Sequence, residues 1–311
     1  MDTGFRQKII NVSMDIEDIY GDSELLNVLI FDLIDFFNEN KLPVDLYISG
    51  IRLPAFGCDE KLKKLVSDYS FAGYHSNTHS FYPIATLTAE QIPENEEHFF
   101  DFENKKFNYA CEGGINSFRK YFSTKMFRCP GLCWTPDYFE YMKGKGFELT
   151  SIDIQYTKPF GYMGLFILPT NEKPLEAYQS KEELVQDIEK YESVSLYFHP
   201  ARLLYDQFWD KSQNRNVYPD YEIRVSRLKE LIKSLSKDYQ IVSLRNMRDY
   251  YVVSISSIEE KKELCSLLEE SLVSKWQWSK LPRGYYNPYH IVKCRENSLS
   301  IVSYRLKRLK D

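Results

Sequence analysis

The sequence predicts an α/β fold in which about seven strand-helix units close into a (β/α)7 TIM-like barrel, followed by a C-terminal α/β appendage. Three observations carry this expectation. Short apolar runs alternate with amphipathic helical stretches from residue 9 to residue 244, the pattern of a parallel sheet whose crossovers are helices. Several of those runs end on an ionisable residue, at the carboxyl end where a parallel barrel carries its chemistry. After Tyr251 the alternation stops and the composition changes.

The elements follow in order. Ile9 to Met14 reads as a strand, Ser23 to Asn38 as a helix, and Val44 to Ile48 as a strand ending at Ser49 and Gly50. Glu60 to Ser67 is helical and Phe71 to Tyr74 is a short strand. Residues 81 to 109 are acidic and aromatic, with a helix expected from Thr88 toward Phe100, so this stretch reads as a crossover with a loop insertion. The alternation then resumes with a helix over Ile115 to Phe122, a strand over Lys125 to Phe127, a helix over Pro136 to Lys145 and a strand over Phe147 to Ile152. A helix over Lys181 to Tyr191, a strand over Val194 to Phe198, a helix over Tyr221 to Ser236 and a strand over Gln240 to Leu244 complete the barrel.

Residues 1–250 are expected to form the barrel and 251–311 an extension of open role. That extension holds a charged amphipathic helix over Ile258 to Val273, a loop-like stretch with Trp276, Trp278, Tyr285, Tyr286 and Tyr289, and a strand over Leu299 to Tyr304. The basic end, Arg305 to Lys310, reads as a solvated terminus.

The 311 residues are 43% hydrophobic and 27% charged, enough to bury one large core, and they lack the signature of a disordered chain. A formal charge of -5 argues against nucleic acid as partner, since phosphate neutralisation calls for a basic excess. The start runs directly into a strand with no basic and apolar leader, and Leu25 to Phe37, the most apolar helix, carries Asp32 and Asp35 and is too short to span a bilayer. A cytoplasmic protein without a transmembrane segment is expected. The six cysteines are scattered, as suits reduced thiols, and the Cys129 and Cys133 pair lacks the second pair of a zinc framework.

His75 and His79, two of only five histidines, stand four residues apart just after an apolar strand. That spacing sets two imidazoles on one side of a helical turn, as a divalent metal requires. Other strand ends carry Asp15, Glu17 and Asp18, then Arg128, then Asp153, then His199. A barrel built for structure alone has little reason to repeat this.

In this order the pieces resemble the polysaccharide deacetylase family with the NodB homology domain. Its motifs are an Asp pair, H-[ST]-x-x-H (here His75-Ser-Asn-Thr-His79), an R-x-P segment (Arg128-Cys-Pro130), a later Asp, and a C-terminal His. Leu42 to Gly50 is similar to the family's second strand, and Lys125 to Pro136 with Gly146-Phe147 to its third-motif region. The resemblance covers about residues 9 to 250 and implies a distorted (β/α)7 barrel and a carbohydrate N-deacetylase.

Carried over residue by residue, it implies a divalent metal, usually zinc, held by His75, His79 and a carboxylate of the first motif. It also implies Asp15 as general base, paired with Arg128, and His199 as general acid with Asp153 beside its ring. Gly131 would supply an oxyanion donor and Trp134 would line the substrate site. The first motif departs from the family's adjacent aspartates. Alternation along the strand puts Glu17 on the side of Asp15, whereas the family's shorter ligand favours Asp18, so both stay candidates. The expected substrate is an N-acetylated sugar, free or carried on a nucleotide or lipid. Two alternatives stay open: an allantoinase- or imidase-like hydrolase of a non-sugar amide, and a silent carbohydrate-binding homologue.

Overall fold

The structure, a computed structural model, describes residues 7–17, 22–77, 100–101, 106–107, 113–132, 134, 136–206, 215–254, 257–275 and 301–306. The chain starts with β1 (Ile9–Ile16), α1 (Ser23–Glu39), β2 (Val44–Ile48), α2 (Asp59–Lys64) and β3 (Ser70–Tyr74). A two-residue pair, β4 (Phe100–Asp101) and β5 (Lys106–Phe107), precedes α3 (Gly113–Arg119), β6 (Met126–Arg128), α4 (Pro136–Gly144) and β7 (Leu149–Ile152). Next come β8 (Phe160–Tyr162), β9 (Leu165–Pro169), α5 (Lys181–Ile188), β10 (Val194–Phe198), α6 (Pro200–Leu204) and α7 (Tyr221–Asp238). The last elements are β11 (Gln240–Ile241), α8 (Leu244–Met247), β12 (Tyr251–Ser254), α9 (Ile258–Lys275) and β13 (Val302–Leu306).

One sheet runs β10-β1-β2-β3-β6-β7-β9-β8-β13-β12. Its first seven strands are parallel, the ladders that join β9, β8, β13 and β12 are antiparallel, and β11 adds a short parallel pairing to β1 off this path. The two ends of the parallel run meet again through one bridge between Thr170, just past β9, and Ser195 in β10. Among the described residues the continuous parallel run therefore holds seven strands, the number expected from the sequence, but not the same seven. Leu165–Pro169 lies beside β7 at the end of the parallel run, where no strand was predicted. The segment predicted as a strand over Gln240 to Leu244 pairs for only two residues, with the start of β1.

The physical reason lies in the punctuation of residues 159–174, where Pro159, Gly161, Gly164, Pro169 and Pro174 break the periodic signal. Met163 and Gly164 both have positive φ, 53° and 78°, so Tyr162 and Leu165 face each other across a two-residue hairpin. The helix expected near Thr88 to Phe100 lies outside the described residues, apart from Phe100 itself, which pairs as a strand.

All eight residues of β1 are buried, yet Ile9-Ile-Asn-Val-Ser-Met-Asp-Ile16 alternates in polarity. Ile10, Val12, Met14 and Ile16 join the large core beneath the helices, with Leu29, Ile30, Leu33 and Phe37 of α1. Asn11, Ser13 and Asp15 face the opposite way, into the ring of strands. A second buried cluster fills that interior, including Tyr47, Met126, Phe166 and Leu168, with Val242, Leu244 and Met247 following β11. Each such aliphatic or aromatic side chain contributes roughly 1.5–3 kcal/mol by leaving water.

Described parts of 251–311 join this architecture. β13 pairs with β8 and β12, and Leu264 and Leu268 of α9 lie in the same core as the parallel strands. Among the described residues, no helix is long and apolar enough to cross a membrane.

Candidate active site

The carboxyl ends of β1, β3, β6 and β10 bring Asp15, Glu17, His75, Arg128 and His199 together. Asp15 and Glu17, two apart along an extended chain, share one side. Asp15 Oδ1 accepts from Arg128 Nη1 at 2.7 Å, with the two side chains 4% and 0% exposed. The guanidinium is fixed further: Nε and Nη2 donate to Ser151 Oγ at 3.0 and 2.8 Å, and Nη2 also donates to Ser195 Oγ at 2.9 Å. It lies 4.2 Å from the centre of the Tyr47 ring and 5.7 Å from that of Tyr197. Burial disfavours the charge on Arg128, but the neighbouring Asp15 outweighs it and the guanidinium stays protonated.

His75 is buried between two acceptors. Its Nδ1 lies 3.0 Å from the Arg128 carbonyl oxygen and its Nε2 lies 2.8 Å from Glu17 Oε2. A carbonyl only accepts, so Nδ1 carries the proton in this contact and donates it. At 2.8 Å a proton on Nε2 joins the imidazole to the Glu17 carboxylate, and a divalent metal bound by both groups would displace that proton. An imidazole with hard carboxylate oxygens suits zinc and its first-row neighbours. The residues present therefore fit a metal. Asp15, Glu17 and His199 also offer ligand atoms all within 4.8 Å of one another.

His199 ends β10 and caps α6, whose first residue is Pro200. Its Nε2 lies 3.9 Å from both Asp15 Oδ2 and Glu17 Oε1. Its Nδ1 is 2.9 Å from Glu176 Oε1. Burial alone would push this imidazolium down, but the hydrogen bond and charge of Glu176, with Glu17 and Asp15 nearby, together raise its pKa to about 9. These carboxylates favour the charged form of His199.

Two expectations are corrected here. The carboxylate on Nδ1 of His199 is Glu176 and not Asp153. Asp153, half-buried after β7, accepts at its backbone oxygen from Ser271 Oγ at 3.1 Å. Glu176 sits in the turn after β9, the strand that the sequence concealed, so its carboxylate had no strand end to mark it. Trp134 offers no face to a substrate, because it is 1% exposed and its ring stacks on Phe139 at 4.9 Å with Tyr162 at its edge. Just before it, Gly131 and Leu132 both have φ of 57°, and past this turn the indole packs in the large core.

Gly131 itself is exposed in the turn Pro130–Leu132 directly after β6. Asp18 and His79 lie outside the described residues. Sequence reading also missed Ser151, Ser195, Tyr47 and Tyr197. Their signal was present in the alternation of each strand, since Ser195 and Tyr197 occupy the same face of β10 as His199.

No protein-family model matches the sequence, and no curated protein matches it. Solved structures do. The chain is similar to a 4-alpha-glucanotransferase from Thermococcus litoralis, with 11% identity over 92% of this chain and 50% of that one and a TM-score of 0.51. It is also similar to a protein proposed to be a polysaccharide deacetylase from Mycobacterium smegmatis, with 12% identity over 78% and 89% of the two chains and a TM-score of 0.49. A CE4 family pseudoenzyme from Bacillus anthracis matches at 10% identity over 76% and 63%, with a TM-score of 0.42. At these identities the likeness is one of fold, a mostly parallel sheet ringed by helices.

Proposed function

We propose that the chain is a metal-dependent amidohydrolase that removes an N-acetyl group from a carbohydrate. The observation that carries this reading is the convergence at neighbouring strand ends of a carboxylate clamped by an arginine, a carboxylate-imidazole pair whose donor set suits a metal, and an imidazole held by its own carboxylate. The order of the sequence motifs supports the same reading.

Each residue has a role that its contacts suit. Asp15 commits Oδ1 to Arg128, so Oδ2, turned toward His199, is the basic oxygen that takes the proton of the attacking water. Glu17 and His75 would hold the metal, with Asp18 and His79 as further ligands and zinc as the expected ion. When bound, such an ion polarises the amide carbonyl and acidifies water. His199, protonated at neutral pH, gives its Nε2 proton to the leaving amine, while Glu176 on Nδ1 keeps that proton aimed into the pocket. The Gly131 backbone N–H is assigned to the oxyanion.

Acetate release from N-acetylated hexosamines, free and nucleotide- or lipid-linked, tests the proposal together with metal stoichiometry of the purified protein. Asp15→Asn is expected to lower release about 10²–10⁴-fold, and His75→Ala to lose both release and bound metal. Unchanged release in both variants would end the reading. Turnover of ureides or cyclic imides without acetate release would move it to a non-sugar amide.

A further inference from the structure

Below the site, the interior of the parallel strands holds a line of polar side chains that the reaction does not use directly. Asp45 on β2 accepts from Ser243 Oγ at 2.5 Å, from the Leu244 backbone N–H at 2.8 Å and from Asn11 Nδ2 at 2.7 Å. Asn11 on β1 donates its other amide proton to the Val242 carbonyl at 3.0 Å, and its Oδ1 accepts from Ser195 Oγ at 2.7 Å. Ser195 accepts in turn from Arg128 Nη2, whose Nη1 holds Asp15. Asp45, Asn11, Ser195 and Arg128 are all fully buried.

The line has one possible polarity. An ionised Asp45 and the Val242 carbonyl can only accept, and both face Asn11 Nδ2, so the Asn11 oxygen must point at Ser195. Ser195 has a single proton and gives it to that oxygen, which leaves its lone pairs for Arg128, a group with donors only. Ser151 alone could not fix the guanidinium. It receives both Nε and Nη2 on one oxygen, a single point about which the plane could tilt. With the Tyr47 ring against the guanidinium at 4.2 Å, Ser195 is the second hydrogen-bonded anchor, and Asp15 is the group that the plane then holds.

We propose that Asn11, locked by Asp45, is a positioning residue for Asp15 that acts through Ser195 and Arg128. The inference rests on Asp15 being the base of the deacetylase site. Its geometry, however, can be read without substrate.

The test compares Ser195→Ala, Asn11→Ala and the double variant by kcat and KM for acetate release, and by the 15N–1H signals of the Arg128 side chain in substrate-free protein. Each single variant is expected to lower kcat about tenfold or more with KM within about twofold, because misplacing a base costs the chemical step and not binding. The double variant should be no slower than Ser195→Ala, since a residue acting through Ser195 has nothing left to act on once that hydroxyl is gone. The Arg128 Nη signals, separate when the guanidinium is clamped, should broaden or merge in all three.

Losses that multiply in the double variant, or Arg128 signals that stay separate in Asn11→Ala, would overturn the proposal. If the wild-type protein releases no acetate, the deacetylase reading fails and the Arg128 spectra decide the positioning by themselves. Should Asn11→Ala not fold, Asn11→Ser, too short to span from Asp45 to Ser195, takes its place with the same expected outcomes.

Discussion

Replacing Glu176 by Gln removes the charge that holds His199 cationic while leaving the shape of the site nearly intact. The pKa of His199 stands at about 9 instead of 6.5, a preference for the imidazolium of about 3 kcal/mol. Burial opposes that preference and only the weaker charges of Glu17 and Asp15 remain, so without the Glu176 charge the imidazole should fall toward its ordinary range. At pH 8 the protonated fraction would then fall roughly thirtyfold, from about nine in ten to a few per cent. The sign for stability follows from the raised value. The contribution is full below about pH 6.5, is lost as pH rises through 9, and is absent above it. Glu176→Gln should therefore be less stable than wild type at pH 6 and nearly equal to it at pH 10. Titration of the His199 ring proton by NMR is feasible with five histidines in the chain and needs no substrate. A Glu176→Gln protein whose His199 still titrates near 9, while Asp153→Asn moves it down, would refute the assignment of Glu176.

Two further outcomes follow from the interior of the barrel. Burial raises the pKa of Asp45 from 3.8 to about 6, against the hydrogen bonds from Ser243, Leu244 and Asn11 that lower it. The folded state therefore holds this proton more tightly than the unfolded one, and stability falls by roughly 3 kcal/mol as pH rises from 3.8 through 6. Urea unfolding of Asp45→Asn should lack that decline, and a difference profile that is flat across this window would contradict it. In Gly73→Ala, the new Cβ would stand 2.7 Å from two carbons of the fully buried Tyr47 ring, which packs on Arg128. The ring has no space to yield, so the substitution should cost about 1–3 kcal/mol; an unchanged melting temperature would show that it does yield.

Much of this protein is written in local pattern. The alternation of strands and helices, the polar stripe along Asn11, Ser13 and Asp15, and the ionisable residues that close several strands are properties of neighbouring residues. They specify a parallel ring and the end at which its chemistry gathers. Asp15, His75, Arg128 and His199 could be picked out because each belongs to or directly follows an apolar run, and the structure links them in one cluster of contacts.

What sequence could not decide depends on contacts between residues far apart in the chain. β9, starting just after Gly164 and ending on Pro169, is too punctuated to announce itself, and only its pairing with β7 and β8 makes it a strand. With β9 hidden, Glu176 had no strand end to belong to, and Asp153, at the end of β7, took its place beside His199. Trp134 shows the converse, since its position near Arg128 suggested a substrate wall until packing against Phe139 and Tyr162 used both its face and its edge. Local chemistry determined which residues could react. The direction of each hydrogen bond among Asp45, Asn11, Ser195, Arg128 and Asp15 was decided only when four separate strands set donor against acceptor in a buried space.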